Sequence, residues 1–513
     1  MTGVNWIDRA IGVVAPGAMQ RRVEARARTA ALSGALAAYD GATRSHRTSA
    51  RTVSRADANA EIRNSLARLR DVHRDLVRNN PYAARAVSSR VTNTVGGGIV
   101  PSVAARSARS KARVTELVKA NLHSTAIDFE GCTNLFGLQA LAERARSESG
   151  EALIVRYWPK AEAMARLGLT VPLQIRVLEG DFLDQAKHGP LPDGGFIFMG
   201  VEFGPDAVRR GYWLFDEHPN GRDVARRGHS RLVSQFVPAT DVIHYYHRLR
   251  PGQVRGVPDG TPVIMTAWDL AEYEDARLMR EKIAACFTMF WTRGETPTNL
   301  AQGAASADRA AGLMIADLAP GLMQELPQGS TVTFGQPPAT QGHAEYVSAS
   351  VRRIAIGYDL PFEEVGGDLT QVSFLSGRLG EIHLARRVEQ WQQHHMIPQV
   401  CDGIGRWFTE AALVVAAPPF RLEWTAPRRE MLSPKDEIPA KRDAIRAGLA
   451  SRQEEIRKLG YDPEQVDAEQ AEDNARADKA GLAHDSDGRR PQRGPNLTQT
   501  EPPTEPTPSG GAS

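Results

Sequence analysis

The 513-residue chain is poor in cysteine and in long apolar runs. Its three cysteines, Cys132, Cys286 and Cys401, lie more than a hundred residues apart, which excludes a local CxxC zinc knuckle and suits free thiols in a reducing compartment. No run approaches the ~20 apolar residues that a membrane-spanning helix needs. The apolar residues 11–15 are cut short by Pro16, so they do not resemble a signal peptide. We therefore expect a cytoplasmic protein with no membrane partner.

Catalytic motifs are also lacking. The glycines at 96–98 are not followed by the Lys-Ser or Lys-Thr pair of a phosphate-binding loop, so the sequence carries no ATPase signature. His244 and His247 would lie on opposite faces of a strand, and His394 and His395 would point about 100° apart on a helix, so neither pair suits one metal ion. We expect no catalytic residue, no metal site and no cofactor.

One group of carboxylates keeps an enzymatic alternative open. Glu179, Asp181 and Asp184 lie within six residues of sequence and are residues of the type that bind the metal of a nuclease. A strand-end turn with exposed acids is the simpler interpretation, because no histidine or lysine partner is predicted nearby. The alternative to a structural protein is therefore a cytosolic metal-dependent nuclease or hydrolase that uses these three residues.

Lysine is absent from the first 101 residues, which instead contain sixteen arginines and seven acidic residues. The whole chain has a net charge of only +2, so charge is polarised along the sequence. Such an arginine-rich arm is typical of a solvated face, a membrane-surface segment or a nucleic-acid contact, and equally of ion pairs between subunits. The hydrophobic fraction of 41% is ample for globular folding, and the length predicts several sub-domains.

The N-terminal half contains a predicted pair of helices. From Asp57, apolar residues recur at spacings of three and four as far as Leu76, which predicts one amphipathic helix. Asn80 precedes Pro81, and this pair ends the first helix and begins the next. The second helix carries apolar residues at four-residue steps and is stopped by the glycines at 96–98.

Helix and strand patterns alternate through the middle of the chain, which predicts an α+β fold. A helix is expected over residues 136–150, and strands over residues 151–158, 173–178, 212–215 and 242–246. The second half is predicted to be mainly helical: helices over 263–291 and 344–357, with a short β region at 328–336 between them.

A polar, glycine-containing loop at residues 366–375 leads into a very long predicted helix that starts near Ser376 and is kinked at Pro398. Three short helices follow, with starts predicted at Ser433, Ser451 and Pro463. The last thirty residues are rich in proline, serine, threonine and glycine and cannot bury enough apolar surface to order themselves.

Two strings of residues are the most distinctive. The first runs from RLR at 68–70 through NNPY at 79–82 to GGGIVP at 96–101, and the second is LRPGQVRGVP at 249–258. Further strings follow the same order along the chain: FGLQ at 136–139, SGE at 149–151, LEGDFLD at 178–184, EKIAAC at 281–286 and EQWQ at 389–392. Together, over residues 38–482, they resemble the lambda-type phage portal proteins. The resemblance implies a closed ring of roughly twelve copies at one capsid vertex, around a channel for double-stranded DNA.

The resemblance also implies a portal fold with wing, stem, clip and crown regions, mainly helical with a mixed, β-rich wing and clip. The expected regions are a basic N-terminal arm (1–56), an α+β wing (57–261), a first stem helix (262–291), a clip (292–343), a second stem helix (344–361), a tunnel loop (362–375), a tunnel helix with the return to the wing (376–432), crown helices (433–482) and a disordered tail (483–513).

The DNA channel is expected to be lined by the tunnel loop, the tunnel helix and the stem. The predicted channel residues are Gln371, Val372, Ser373, Phe374 and Arg378, and the predicted stem-lining residues are Arg277, Arg280 and Lys282. Glutamates three residues after Arg378 and Arg386 are placed to neutralise them, which would keep the channel from gripping DNA through many phosphate contacts.

The partners that the resemblance implies are further copies of the chain, double-stranded DNA bound without regard to sequence, the terminase large subunit, the major capsid and scaffold proteins, and a head-tail adaptor. The expected location is the portal vertex of the virion, and the host cytoplasm during assembly. The expected function is a structural, non-enzymatic one in DNA packaging and ejection.

Overall fold

The computed structural model describes residues 15–22, 24–25, 54–221, 233–285, 289–293, 330–334, 342–370, 372–427, 431, 433–461 and 463–482. The chain divides into two compact units, residues 1–64 and 65–513. Most of the predicted basic arm, much of the predicted clip, the predicted tail and Cys286 lie outside the described residues.

The described residues form helices interspersed with short strands. The helices are α1 (Ala58–Arg63), α2 (Leu66–Asn79), α3 (Pro81–Val95), α4 (Ala108–Asn121), α5 (Leu135–Ser149), α6 (Ala161–Leu167), α7 (Ile264–Ala285), α8 (His343–Gly357), α9 (Phe362–Gly366), α10 (Phe374–Trp391), α11 (Asp402–Val414), α12 (Pro434–Arg446), α13 (Arg452–Lys458) and α14 (Pro463–Ala480). The strands are β1 (Val100–Ala105), β2 (Glu151–Tyr157), β3 (Gln174–Glu179), β4 (Gly189–Pro190), β5 (Phe196–Phe198), β6 (Val201–Phe203), β7 (Arg209–Phe215), β8 (Ser234–Pro238), β9 (Val242–Tyr246), β10 (Met289–Arg293), β11 (Ser330–Phe334) and β12 (Phe420–Thr425). The fold is α+β and mainly helical, as the sequence predicts.

In the first unit, residues 16–22 are helical, and α1 begins after Asp57. The carboxylate of Asp57 accepts a hydrogen bond of 3.0 Å from the backbone N–H of Ala60, so this residue acts as the N-cap of α1.

Two helices, not one, occupy the stretch that follows Asp57. Asn64 and Ser65 lie between α1 and α2. Both have short polar side chains that compete with the backbone for hydrogen bonds and favour turns. This local preference outweighs the continuous apolar period on which the prediction of a single helix rested, and that prediction was wrong.

The junction of α2 and α3 follows the prediction. The side-chain oxygen of Asn80 accepts hydrogen bonds of 3.0 Å and 3.1 Å from the backbone N–H groups of Tyr82 and Ala83, and Pro81 is the first residue of α3. Gly96 ends α3 with a φ of 51°, a conformation that glycine adopts without a steric penalty.

An antiparallel sheet with the strand order β3-β2-β9 lies in the first core. Leu153 of β2 pairs with Leu178 of β3 and with His244 of β9. Helices α4, α5 and α11, residues 392–401 and the antiparallel pair β1 and β12 contribute further apolar side chains to this core. A five-stranded antiparallel sheet, β4-β5-β6-β7-β8, adds a smaller cluster next to β2 and β9. The four strands predicted in the middle of the chain are confirmed.

A second core is helical and unites α2, α3, α7, α8 and α10. Helix α7 ends at Ala285, and β10 begins at Met289 and pairs with β11. The prediction of one helix as far as Trp291 was therefore wrong at its end. Residues 289–293 are rich in aromatic and β-branched side chains, which favour a strand once a partner of the same kind lies beside it.

The long helical segment after the predicted tunnel loop has three parts. Helix α10 begins at Phe374, two residues before the predicted start at Ser376. It continues into a π-helical segment, Gln392–Cys401, and then into α11. Pro398, where a kink was predicted, lies inside the π-helical segment. Proline lacks a backbone N–H and crowds the preceding turn, and the wider π-helical turn accommodates both.

Three helices, α12 to α14, follow β12 as predicted, but α14, with 18 residues, is longer than the short helix that was expected. The hydroxyl of Ser451 caps α13 by accepting a hydrogen bond of 3.0 Å from the N–H of Glu454, whereas that of Ser433 donates to the carboxylate of Asp436 at 2.7 Å. Helices α12 and α13 bury no residue, and α14 buries only Pro463. Among the described residues, none of the helices combines the length and the apolar character needed to cross a membrane.

Candidate channel elements and buried charge network

Glu151, the first residue of β2, is the centre of a buried network of charged side chains. Its carboxylate lies 2.8 Å from Nη2 of Arg70 on α2 and accepts hydrogen bonds of 2.9 Å and 3.0 Å from Nε of Arg255. Nε2 of His244 on β9 donates to it at 2.9 Å, and the backbone N–H of Gly256 at 3.0 Å. The side chains of Glu151, Arg70 and Arg255 are fully buried.

This network unites the distinctive strings of the sequence. Arg70 ends the RLR string and also donates to the carbonyl of Ser149 at 3.0 Å. Arg255 lies in the LRPGQVRGVP string and donates to the carbonyl of Met199 at 2.7 Å. A Cβ on Gly256 would lie 2.0 Å from the carbonyl oxygen of Gly150, so no larger residue fits there. Residues of these strings therefore hold α2, the start of β2 and the segment around Arg255 in contact.

Burial and neighbouring charges determine the protonation states of Glu151 and His244 in this network. Burial alone would raise the pKa of Glu151, but Arg255, His244 and Arg70 hold that pKa well below its usual range. Burial lowers the pKa of His244 to about 4 in spite of its hydrogen bond to Glu151. At neutral pH, one carboxylate therefore faces two guanidinium groups and a neutral imidazole.

A second buried network lies on α5. Arg146 makes two hydrogen bonds of 2.8 Å to the carboxylate of Asp259 and contacts Glu143 at 2.7 Å. Although burial opposes ionisation, Arg146 and Arg90 lower the pKa of Asp259. The hydroxyl of Tyr245 donates a hydrogen bond to the carboxylate of Glu143.

Aromatic contacts join this second network to the long helical segment. The guanidinium of Arg90 lies 3.4 Å from the ring centre of Trp391, the last residue of α10. The ring of His247 stacks on His395 of the π-helical segment, with 3.9 Å between the ring centres. A cation over an indole and a stacked ring pair are both attractive contacts. Neither contact was anticipated from the sequence.

The three candidate carboxylates do not form one site. Glu179 and Asp181 lie 2.9 Å and 2.5 Å from Nη2 of Arg74, and Asp181 is also 3.5 Å from Arg70. Asp184 points elsewhere and accepts a hydrogen bond of 2.6 Å from the hydroxyl of Ser234.

One part of that prediction was wrong, because a histidine does lie close by: Nε2 of His218 is 3.4 Å from Glu179. Ligand atoms of Glu179, Asp181 and His218 are near enough to one another to hold a metal ion. The guanidinium of Arg74, however, already contacts both carboxylates, and a second cation would be repelled by it. The arrangement is that of an ion-pair cluster between α2 and the end of β3.

The predicted channel residues lie at the start of α10. Gln371 is outside the described residues, Val372 is half-buried, and Ser373 and Arg378 are exposed. Ser373 and Ser376 form a reciprocal capping box, in which each hydroxyl accepts from the other residue's backbone N–H at 3.0–3.2 Å. Phe374 is therefore the first helical residue and not part of the loop. That these residues face a channel stays a prediction.

The predicted stem-lining residues are all on α7. Arg277 lies 2.8 Å from Glu281 one turn later on the same helix, Arg280 is half-buried, and Lys282 is exposed. Tyr273 of α7 packs on Tyr346 of α8, with 4.4 Å between the ring centres. This contact holds together the two helices that were predicted to form the stem.

Comparison with known proteins identifies the family. The family model described as "Phage portal protein, lambda family" matches residues 44–392. The chain belongs to the lambda family of phage portal proteins. The family resemblance inferred from the sequence strings is confirmed, and both the Glu151 network and the start of α10 lie inside the matched residues.

A curated relative supports the assignment. The "Probable portal protein" of Halomonas phage phiHAP-1 (isolate -/Gulf of Mexico/-/2001) is 26% identical over 351 residues, which cover 66% of this chain and 65% of that protein. The chain thus spans somewhat less than two thirds of the length of this relative. Two solved structures, titled "Neck of empty GTA particle computed with C6 symmetry" and "Virion of native gene transfer agent (GTA) particle", each contain a chain that is 16% identical, with a TM-score of 0.42 and coverage of 81% of this chain and 96% of that chain.

The roles of Arg70, Glu151 and Arg255 in a buried network were not predicted from the sequence. A signal was present for one of them. Arg70 lies four residues after Leu66 and three before His73, on the apolar stripe of α2, where a solvated side chain is out of place. Glu151 and Arg255 carried no such signal, since neither lies on a periodic helix.

Proposed function

We propose that the chain assembles head to tail into a ring of roughly twelve copies at one capsid vertex, and that this ring is the channel through which double-stranded DNA is packaged and ejected. Membership of the portal family supports the ring. The proposed ring is structural and not enzymatic, and it resides in the virion after assembly in the host cytoplasm.

The observation that carries the proposal is the apolar surface that one copy leaves exposed on the helices proposed as stem and tunnel helix. Helix α7 exposes the neighbouring residues Leu278 and Met279, and α10 exposes Leu375, Leu379 and Ile382 on one face. Contiguous exposed apolar patches on a folded chain mark surfaces for other macromolecules. A head-to-tail arrangement buries two different patches of each copy and closes into a ring when the rotation between copies permits.

We further propose that the partners act in sequence on this ring. The terminase large subunit docks on the clip while the capsid fills, and a head-tail adaptor replaces it afterwards. The major capsid and scaffold proteins surround the outer face. DNA passes the loop before α10 without sequence-specific contacts, and the pairing of Arg387 with Asp359 at 3.0 Å removes one cation from those available to grip the phosphates.

Negative-stain electron microscopy of the purified protein tests the proposal. We expect round particles with a central opening and a rotational symmetry near twelve. A homogeneous population of small particles without an opening, seen at micromolar concentration and moderate salt, would contradict it.

A further inference from the structure

Helix α10 carries an exposed apolar ridge, formed by Leu375, Leu379 and Ile382. Their exposed fractions are 68%, 51% and 42%. The steps of four and three residues place them on one face of the helix. Leu384 and Val388, which are buried in the helical core, lie on the opposite face. The ridge therefore points away from the chain's own core.

A groove lies beside the same helix, between α10 and the segment that joins α8 to α9. It has a volume of about 290 Å³ and is lined by Ile356, Asp359, Leu360, Pro361, Phe362, Gly380, His383, Leu384 and Arg387. Ile356 is 75% exposed, and a Cβ added to Gly380 would meet no atom within 4 Å. The groove is thus open to solvent and its lining is largely apolar.

The charged residues of the groove neutralise each other. Arg387 lies 3.0 Å from the carboxylate of Asp359 and also donates to the Asp359 carbonyl at 3.0 Å. This pair joins the two walls of the groove: among the described lining residues, the one carboxylate and the one guanidinium are paired with each other, and His383 is the remaining titratable side chain. An apolar occupant suits such a groove better than a charged one, because a charge would lose its hydration without gaining a partner.

The ridge of one copy cannot fill the groove of the same copy. At about 100° per residue, the ridge lies roughly 120° around the helix axis from Gly380, so the two surfaces face different directions. A ridge and a groove on different sides of one chain fit a head-to-tail contact, in which each copy gives its ridge to one neighbour and receives the ridge of the other.

We propose that the ridge of one copy, Leu375, Leu379 and Ile382, docks in the groove of the next copy, against Ile356, Phe362 and Gly380. This inference rests on the proposed ring and names the contact that closes it next to the DNA channel. An apolar cavity of about 150 Å³ holds a benzene-sized group, so the groove has room for two aliphatic side chains of the ridge.

The contact would give each loop a second support. Residues 367–373 connect α9, which lies beside the groove, to α10, which carries the ridge. When the ridges dock, α9 at the start of the loop packs against the ridge of one neighbour. Helix α10 at the end of the loop packs into the groove of the other neighbour. The position of every loop then depends on the adjacent copy.

Mixed rings of two variants, each with one introduced, exposed cysteine, test the proposal. In both variants, Cys132 and Cys286 are replaced by serine, and Cys401 is retained because it is buried. One variant carries Ile356→Cys, and the other carries Leu379→Cys. No disulfide can form within a chain in this experiment. After mild oxidation of co-assembled rings, we expect covalent dimers that contain one copy of each variant, and none in rings of either variant alone.

A matched control replaces Ile356→Cys by Leu449→Cys, an exposed leucine outside the groove, and should give no dimers with Leu379→Cys. Rings that form but give no mixed dimer would overturn this inference and leave the proposed function standing. Dimers in rings of Leu379→Cys alone would overturn it as well, since they would show ridge against ridge. Failure of every variant and of the wild-type protein to form a ring would overturn the proposed function and this inference together.

Two further variants act on the surfaces directly. Gly380→Phe fills the groove and Leu379→Asp places a charge on the ridge, and both positions are open to solvent, so the isolated chain should keep its melting temperature. We expect each variant to lose the ring in light scattering, whereas Gly380→Ala retains it. A photo-reactive residue at Ile356 then identifies the occupant: a linked peptide from residues 374–387 of another copy supports the proposal, and a linked peptide from any other part of the chain would overturn it.

Discussion

Single residues show how the chain tolerates charge in its interior. Glu151, Arg70 and Arg255 are fully buried, and both guanidinium groups lie within about 3 Å of the Glu151 carboxylate. Replacing buried ion pairs by apolar groups is often neutral, but removing one partner leaves an uncompensated charge. The network is therefore a point at which a small change has a large effect on stability.

Glu151→Gln should lower the free energy of unfolding by about 3–5 kcal/mol, because it leaves two buried guanidinium groups without their carboxylate. Urea denaturation followed by circular dichroism measures the change. The control is Glu410→Gln, whose carboxylate pairs with Arg156 but is 54% exposed and which should cost at most about 1 kcal/mol. Equal effects of the two substitutions would show that burial of Glu151 has no energetic consequence.

His244 contributes to the pH dependence of stability. Its pKa is about 4 in the folded chain, against about 6.5 when unfolded. Between these values the unfolded chain binds a proton that the folded chain does not, so the free energy of unfolding falls as the pH falls from 6.5 to 4.

The slope contributed by His244 is at most about 1.4 kcal/mol per pH unit. His244→Gln, which keeps an N–H donor for Glu151, should therefore flatten the decline of unfolding free energy measured at pH 6.5, 5.5 and 4.5. Parallel curves for wild type and variant would place the titration on another group.

The carboxylates next to Arg74 are expected to be structural. Asp181→Ala should destabilise the chain, because it removes a partner from both Arg70 and Arg74. The wild-type protein should not cleave DNA in the presence of magnesium. Cleavage that was reproducible in wild type and absent after joint replacement of Glu179, Asp181 and Asp184 by alanine would establish the nuclease alternative.

At the scale of helices and strands, the sequence was most informative where local chemistry decides the structure. Asn80 with Pro81, and Gly96 at the end of α3, determine helix ends by hydrogen bonds and backbone angles that involve only neighbouring residues.

Other features depend on distant residues and could not be predicted. Residues 289–293 form a strand because residues 330–334 pair with them, and the apolar period of α7 gives no hint of that partner. Arg70 and Glu151 are 81 positions apart in sequence, and only the folded chain shows that each neutralises the other. In the candidate channel, the sequence predicted a loop followed by a long helix. It did not predict that Phe374 belongs to α10, because the capping box between Ser373 and Ser376 was not recognised.

The loop before α10 can be shortened without disturbing the helix. Ser373 and Ser376 cap α10, so deletion of residues 369–372 preserves the helix start. We expect the deleted chain to form rings but to retain less DNA, measured as the fraction of full heads in a packaging assay. A control variant replaces the same four residues by glycine and serine. If the shortened ring fills and holds heads as well as wild type, this loop is not the element that contacts DNA.

At the scale of the whole molecule, a single copy of the chain leaves helices and apolar side chains exposed. Among the described residues, three clusters contain most of the buried apolar side chains. In contrast, α12 and α13 bury nothing and α10 exposes an apolar ridge. The boundaries of wing, stem, clip and crown stay predictions from the family resemblance. The proposed ring would bury part of these exposed surfaces.

Native mass spectrometry of the purified protein is the most direct test of that ring. The chain has a mass of 56.0 kDa, so a closed ring of roughly twelve copies should appear near 670 kDa, with neighbouring species differing by whole chains. Single chains or dimers alone, at micromolar concentration and moderate salt, would contradict the account.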